Sequence, residues 1–422
     1  MEKENKKTKL SFQQTWSMAV GGMIGGGIFS TLGVVVKIAG SWAWLSFFLA
    51  GLIALAAGYS YVKLASFYGE GGGAFTFLRE INAKGFAGSL SWILVVGYIL
   101  TNAVYAFTFG QYLGNVADLG PWFSRGAAVV ILMLFTGLNL QGVGEAGGVE
   151  TLLVWFKLII LVGLALWGLS LWNPEMLSQG VPDSGLAPAL FGGACVFMAY
   201  EGFQLLTYDY EDIKDPDRTL PRTVLSAIIT VIVVYIIVAL GTTMLVGADQ
   251  VVAHEEVALA IAGDKIWGTA GVVIVTIAAA ASTGSAINST LFATARLVSI
   301  VAKAGELPSG LARKNDNGIP NRAVICLGLT SAVLAAAGSL TSLVESASLA
   351  FLFTFAVVCG LAFRQKAGIR LFTGFGVLAA AGATVVLVFR LLDTNVTALV
   401  FFGILLLAAM IGRPLLLRWR NN

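Results

Sequence analysis

Runs of apolar residues long enough to cross a bilayer, about 20 residues each, recur so often in this 422-residue chain that few folds remain open to it. They fall near 15–36, 43–66, 88–113, 125–142, 149–171, 186–210, 223–246, 266–300, 322–339, 342–363, 370–390 and 395–417. Gly338-Ser339 and Glu345 split the stretch from 322 to 363 into a hairpin. With 57% hydrophobic and 12% charged residues, a soluble domain would lack the polar surface to cover itself. Tryptophans at run edges, among them Trp16, Trp42, Trp122, Trp172 and Trp267, suit interfacial anchoring. The chain reads as an all-α integral membrane protein of twelve spans.

Charge sorting sets the orientation. With the N-terminus inside, nineteen Lys and Arg, such as Lys9, Arg79, Lys214, Arg218, Arg222, Lys303, Arg313 and Arg370, fall on the cytoplasmic side. Only Lys37, Arg125, Lys265 and Arg390 fall outside, a strong positive-inside bias. Both termini are therefore expected in the cytoplasm of a multi-pass protein of the cell membrane. The expected organisation is a cytoplasmic tail (1–14), spans one to five (15–171), spans six to ten (186–363), spans eleven and twelve (370–417) and a short cytoplasmic tail (418–422). The two five-span blocks have opposite orientation, which makes them an inverted repeat by position.

Each block opens on a span built to break. The first holds Gly21-Gly22-Met23-Ile24-Gly25-Gly26-Gly27, and the sixth holds Gly192-Gly193 and then Met198-Ala199-Tyr200-Glu201-Gly202. Each glycine costs a helix roughly 1 kcal/mol relative to alanine. Unwound backbone survives at membrane depth only when covered by protein or lining a cavity. Paired breaks in corresponding positions point to a transporter's binding site. An ion channel would need an open pore instead, and the spans carry no clustered His, Cys or paired carboxylates at catalytic spacing. No nucleotide-binding motif is visible, and the net charge of +3 gives no sign of nucleic acid. Cys195, Cys326 and Cys359 read as small apolar packing residues, and His254 as a loop residue, so neither a metal nor another cofactor is expected.

Four motifs in register carry a resemblance. Gly22-Met23-Ile24-Gly25-Gly26-Gly27-Ile28-Phe29 is similar to the first-helix signature of the amino acid–polyamine–organocation (APC) transporters. Met198-Ala199-Tyr200-Glu201-Gly202-Phe203 resembles their sixth-helix break, and Glu211 to Arg222 the loop after it. Ala295-Arg296 and Ala302 to Pro308 resemble the end of their eighth helix. The resemblance implies a LeuT-like five-plus-five inverted repeat with helices 1 and 6 discontinuous, two extra C-terminal helices, and an amino acid or polyamine as small-molecule substrate.

It also implies roles. Substrate binding falls to Gly22, Met23, Ile24, Gly25, Gly26 and Gly27 of span one, Met198, Ala199, Tyr200, Glu201 and Phe203 of span six, and Asn288 of span eight. N–H groups at the start of a half-helix suit a carboxylate, and the carbonyls of Met23, Met198 and Ala199 suit an ammonium. Met198 and Gln204 take gating positions, while Tyr98, Asn102 and Tyr105 of span three face the same cavity. Lys157 of span five resembles the family lysine whose ammonium stands in for sodium, with Ser282, Thr283 and Ser285 as hydroxyl partners. Transport is then sodium-independent, with protons as a candidate coupling ion; a permanently charged strut is the competing reading. Gly26 replaces a frequent hydroxyl or alanine, which leaves room for an organic cation.

Intramembrane charge is costly and by default functional. For Glu201, three roles stand open: counter-charge for a cationic substrate, proton site, or acceptor for loose N–H groups of the broken helices. The second transporter reading, a carrier or exchanger of polyamines or basic amino acids, depends on the first of these.

Overall fold

The computed structural model describes residues 9–142, 147–181 and 185–412. Most of the N-terminal tail and all of the C-terminal tail expected above lie outside those residues. Among the described residues the secondary structure is helical, with a single bridge between Leu10 and Ile213. In order, the helices are α1 (Phe12–Met23), α2 (Gly27–Ala39), α3 (Ala43–Tyr68), α4 (Gly73–Glu80), α5 (Lys84–Ala117), α6 (Gly120–Leu140), α7 (Gly147–Ser170) and α8 (Leu186–Cys195). They continue with α9 (Pro216–Val246), α10 (Ala248–Ala253), α11 (Ala258–Trp267), α12 (Thr269–Lys303), α13 (Asn321–Ala337), α14 (Leu340–Gln365), α15 (Arg370–Thr394) and α16 (Val396–Leu407).

Eight stretches are long and apolar enough to cross a membrane, and a bent pair makes a ninth. Two shorter apolar helices cover Asn321–Ala337 and Val396–Ile411. The first stretch, Phe12–Tyr68, runs to 57 residues and comprises α1, α2 and α3. That is far more than the roughly 20 residues one crossing needs. Gly338 and Ser339 do separate α13 from α14, as the hairpin expectation required.

The sequence dictates where these helices start and stop. Ser11 caps α1 in a reciprocal box with Gln14, which satisfies two of its orphan N–H groups. Pro216 opens α9 at a position where a missing N–H costs nothing. Leu152, Ile159, Leu371 and Leu378 are exposed large apolar side chains, as expected of helices whose outer faces meet lipid. Cys326 of α13 is exposed while Cys195 and Cys359 are buried, a correction to the expectation that all three are buried. A small apolar side chain loses nothing by facing acyl chains.

The centre is built from α1, α3, α5, α7, α9, α12 and α14. Tyr61, Tyr98, Tyr105, Tyr200 and Tyr235 are fully buried there, each bringing one polar tip into an apolar interior. Those tips matter because two helices stop midway.

Candidate functional site

Span one is interrupted at Ile24, Gly25 and Gly26. α1 closes on Ile24, whose N–H reaches the Val20 carbonyl, the Gly25 N–H reaches that of Gly22, and α2 restarts after Gly26. The interruption frees a row of carbonyls that lipid could not satisfy. Four side chains from four different helices meet them. Lys157 Nζ of α7 donates to Gly21 O at 3.1 Å. Tyr105 Oη of α5 donates to Gly22 O at 3.4 Å. Tyr235 Oη of α9 donates to Met23 O at 2.7 Å, and Ser282 Oγ of α12 to Ile24 O at 2.6 Å. Every released carbonyl in this row has a donor.

Span six is interrupted more sharply. α8 ends at Cys195, a 3₁₀ turn follows over Phe197–Tyr200, and a second 3₁₀ stretch begins at Phe203. The axis bends by 57° between Leu186–Cys195 and Phe197–Asp212. Ser348 of α14 bridges the gap, donating to Cys195 O at 2.6 Å and accepting from Met198 N at 3.0 Å. Glu201 adopts an extended conformation, and Gly202 has φ +128°.

The two interruptions touch. A Cβ added to Gly202 would lie 2.6 Å from Gly22 C and 2.8 Å from Met23 N. Tyr235 Oη, already on Met23 O, is also 2.9 Å from Ala199 O, so one hydroxyl stands between a carbonyl of each broken span. One added to Gly27 would overlap that hydroxyl, and one added to Gly26 would overlap the Tyr105 ring. Glycine density thus both unwinds span one and lets two phenols come up to its backbone.

Glu201, 1% exposed, sits beside this junction. Gln204 Oε1 accepts the Gly202 N–H at 3.0 Å, which fixes the amide so that Nε2 donates to Glu201 Oε1 at 2.9 Å and to Tyr98 Oη at 3.2 Å. Tyr105 Oη lies 3.3 Å from Glu201 Oε2, and Tyr98 Oη 3.3 Å from Tyr208 Oη. Gln204 serves one carboxylate oxygen, and the single Tyr105 hydroxyl hydrogen is shared between the other and Gly22 O.

The other sequence candidates divide. Met198 is fully buried, and its carbonyl accepts the Glu201 N–H at 3.0 Å. Tyr200 donates to Phe47 O of α3 at 2.7 Å, and Phe203 packs against the rings of Tyr61 and Phe355. Asn288 accepts from Asn139 of α6 at 2.8 Å, a helix-to-helix bond. Thr283 spends its hydroxyl on Ala279 O and Ala280 O of its own helix. Ser285 donates to Glu150 Oε2 rather than toward Lys157. Asn102 is buried with an Oδ1 that has no hydrogen-bond partner.

Sequence reasoning missed Tyr235, Ser348 and Glu150. Tyr235 lies in the apolar run Val231 to Val238, where a lone phenol is the only polar signal. Glu150 stands at the edge of its run and reads as a solvated helix end. Tyr235→Phe strips the shared donor from Met23 O and Ala199 O, each bond worth about 1 kcal/mol net. Uptake by reconstituted protein is expected to fall about tenfold, at unchanged yield of folded protein.

Ion pairs and backbone bonds link separate elements on each side of the junction. Toward one end, Lys37 pairs with Glu255 at 2.8 Å, and Thr341 donates to the same carboxylate at 2.9 Å. Toward the other, Arg296 pairs with Asp209 at 2.6 Å, and Leu10 exchanges backbone bonds with Asp212 and Lys214.

A helical membrane body whose two interrupted spans meet at a common junction is that of a membrane transporter. The chain belongs to the amino acid permease family, whose model matches residues 10–415. It is 30% identical over 380 residues to the inner membrane transport protein YbaT of Escherichia coli, covering 86% of this chain and 85% of that one. It is 25% identical to the cationic amino acid transporter 7, chloroplastic, of Arabidopsis thaliana over 84% of this chain and 65% of the relative. It is 23% identical to the serine/threonine exchanger SteT of Bacillus subtilis over 73% and 71%. The protein is an integral membrane transporter, not an enzyme.

Proposed function

We propose that the protein is a secondary carrier of amino acids working by alternating access, with twelve spans, a five-plus-five inverted repeat and both termini in the cytoplasm. The observation that carries this reading is the backbone approach of Gly22 to Gly202, beside which the Tyr235 hydroxyl spans Met23 O and Ala199 O. A continuous helix locks its carbonyls into its own ladder. Here they are held by side chains, at about 1 kcal/mol per bond, so a substrate's ammonium can replace a hydroxyl at modest cost. Rocking of one broken span against the other then exposes the junction to each side in turn.

Sodium independence is supported by the Lys157 ammonium on the Gly21 carbonyl. The substrate favoured is a zwitterionic amino acid, because the Glu201 oxygens already accept from Gln204 and Tyr105. In that reading Glu201 is an acceptor that organises the break in span six. A second reading, with Glu201 as counter-charge for a basic amino acid or polyamine, draws on the depth of that carboxylate beside the junction. The relatives' names support both, a serine/threonine exchanger and a cationic amino acid transporter.

The test is uptake of radiolabelled L-serine, L-arginine and putrescine by proteoliposomes, in sodium and in choline, with and without a protonophore. Serine uptake, equal in both salts, is expected. Glu201→Gln keeps one acceptor oxygen, for Gln204, and turns the other into an amide donor, and should lower it about threefold. Uptake of arginine or putrescine that Glu201→Gln abolishes establishes the second reading. Strict sodium dependence overturns the role given to Lys157, and failure to carry or bind any amine overturns the whole.

A further inference from the structure

A second buried charge accompanies Lys157. Glu150, in the first turn of α7, is 5% exposed, and Lys157 is fully buried. Seven residues separate them, two helical turns, so both project from one face of α7. That face meets α1 at Gly21. Lys157 Nζ donates to the Gly21 carbonyl at 3.1 Å. Glu150 Oε1 fills the space where a Cβ on Gly21 would stand, and Glu150 Oε2 accepts from Ser285 of α12. Both charged heads touch the same glycine, which puts them no more than about 9 Å apart by bond lengths alone.

The elements packed around them supply little other charge. Residues Phe12–Met23 of α1 include no ionisable side chain, and α12 has none before Arg296. Asp217, Arg218 and Arg222, near the start of α9, are exposed. A lone carboxylate at this depth would face a large desolvation cost. We propose that Glu150 is the counter-charge that positions the Lys157 ammonium at the break in span one. The Gly21 position is then occupied from two sides, carbonyl by ammonium and Cα by carboxylate, and Ser285 ties the carboxylate to span eight. A side chain at 21 would displace the carboxylate from this place.

This inference rests on the reading that Lys157 occupies the ion position, and its test separates the two. Apparent melting temperature is measured on detergent-purified full-length protein, and uptake is measured in proteoliposomes with an equimolar pool of radiolabelled L-amino acids. Glu150→Gln keeps shape and the bond to Ser285 but removes the charge; Glu150→Asp keeps the charge. Glu150→Gln and Lys157→Gln alone each leave one uncompensated buried charge, and each should lower the melting temperature by about 5–10 °C. The double variant Glu150→Gln/Lys157→Gln should recover to within about 2 °C of wild type, a non-additivity that packing alone would not give. Glu150→Asp should keep uptake within about threefold, whereas Glu150→Gln should lose at least about tenfold.

A single Glu150→Gln variant that cannot be purified, beside a double variant that can, also supports the pairing. Additive losses, a double variant that fails to fold, or a Glu150→Gln protein with wild-type stability overturns it. Absence of uptake by the wild type would count against the transporter reading alone, since the melting cycle still decides the role of Glu150.

Discussion

Gly202→Ala is expected to bring transport down at least a hundredfold, to background. Two costs combine at this position. Gly202 has φ +128°, where an L side chain is strained by about 1–3 kcal/mol. Its Cβ would also come within 2.6 Å of Gly22 C and 2.8 Å of Met23 N, backbone that cannot rotate away. Relief requires the broken ends to separate, which loosens the Tyr105 and Tyr235 bonds to Gly22 O and Met23 O, each worth about 1 kcal/mol.

Gly22→Ala provides the graded control. Its Cβ would lie 3.1 Å from Gly202 Cα, and the residue sits in a helix that tolerates alanine. A shift of a few tenths of an ångström suffices, so about a tenfold loss is expected. Uptake normalised to folded protein checks the order. Near-normal transport by Gly202→Ala would mean that the two backbones do not need to touch.

Lys157→Gln should have a comparable effect by another route. It leaves the Gly21 carbonyl without its charged donor, a bond of about 1.5–3 kcal/mol. It also strands Glu150, at a cost of about 3–5 kcal/mol for a buried charge without its partner. Together these predict at least a hundredfold loss of uptake. Sodium should not restore it, because an amide provides no vacated cation site of the right charge. Wild-type uptake is expected to be equal in sodium and choline. A variant that transports normally would remove Lys157 from the mechanism.

Helix interruption was legible along the chain. Seven residues from Gly21 to Gly27 include five glycines, and the break falls among them at Ile24–Gly26. Span six signalled itself with Gly192-Gly193 and Gly202, and bends where Val196 separates α8 from the 3₁₀ turn. Burial of Lys157 and Glu201 also followed from sequence, since each stands inside an apolar run. The partners of those residues did not. Asn288 and Thr283 lie on the same helix as Ser282, yet a helical step of 100° turns them to α6 and to their own backbone. Glu150 was hidden because a run's edge gives no sign of depth.

What the sequence alone determined is local: an apolar chain of membrane-crossing length, charges sorted by loop, and glycine clusters that free backbone groups at two places. Which groups answer them was a matter for the folded body. The carbonyls of Gly21, Gly22, Met23 and Ile24 take donors 136, 83, 212 and 258 residues away, on four helices. Propensity and hydropathy act between near neighbours, so they mark where a helix fails. Satisfying the exposed peptide groups without water requires side chains from across the protein, and only tertiary packing brings those to the same point.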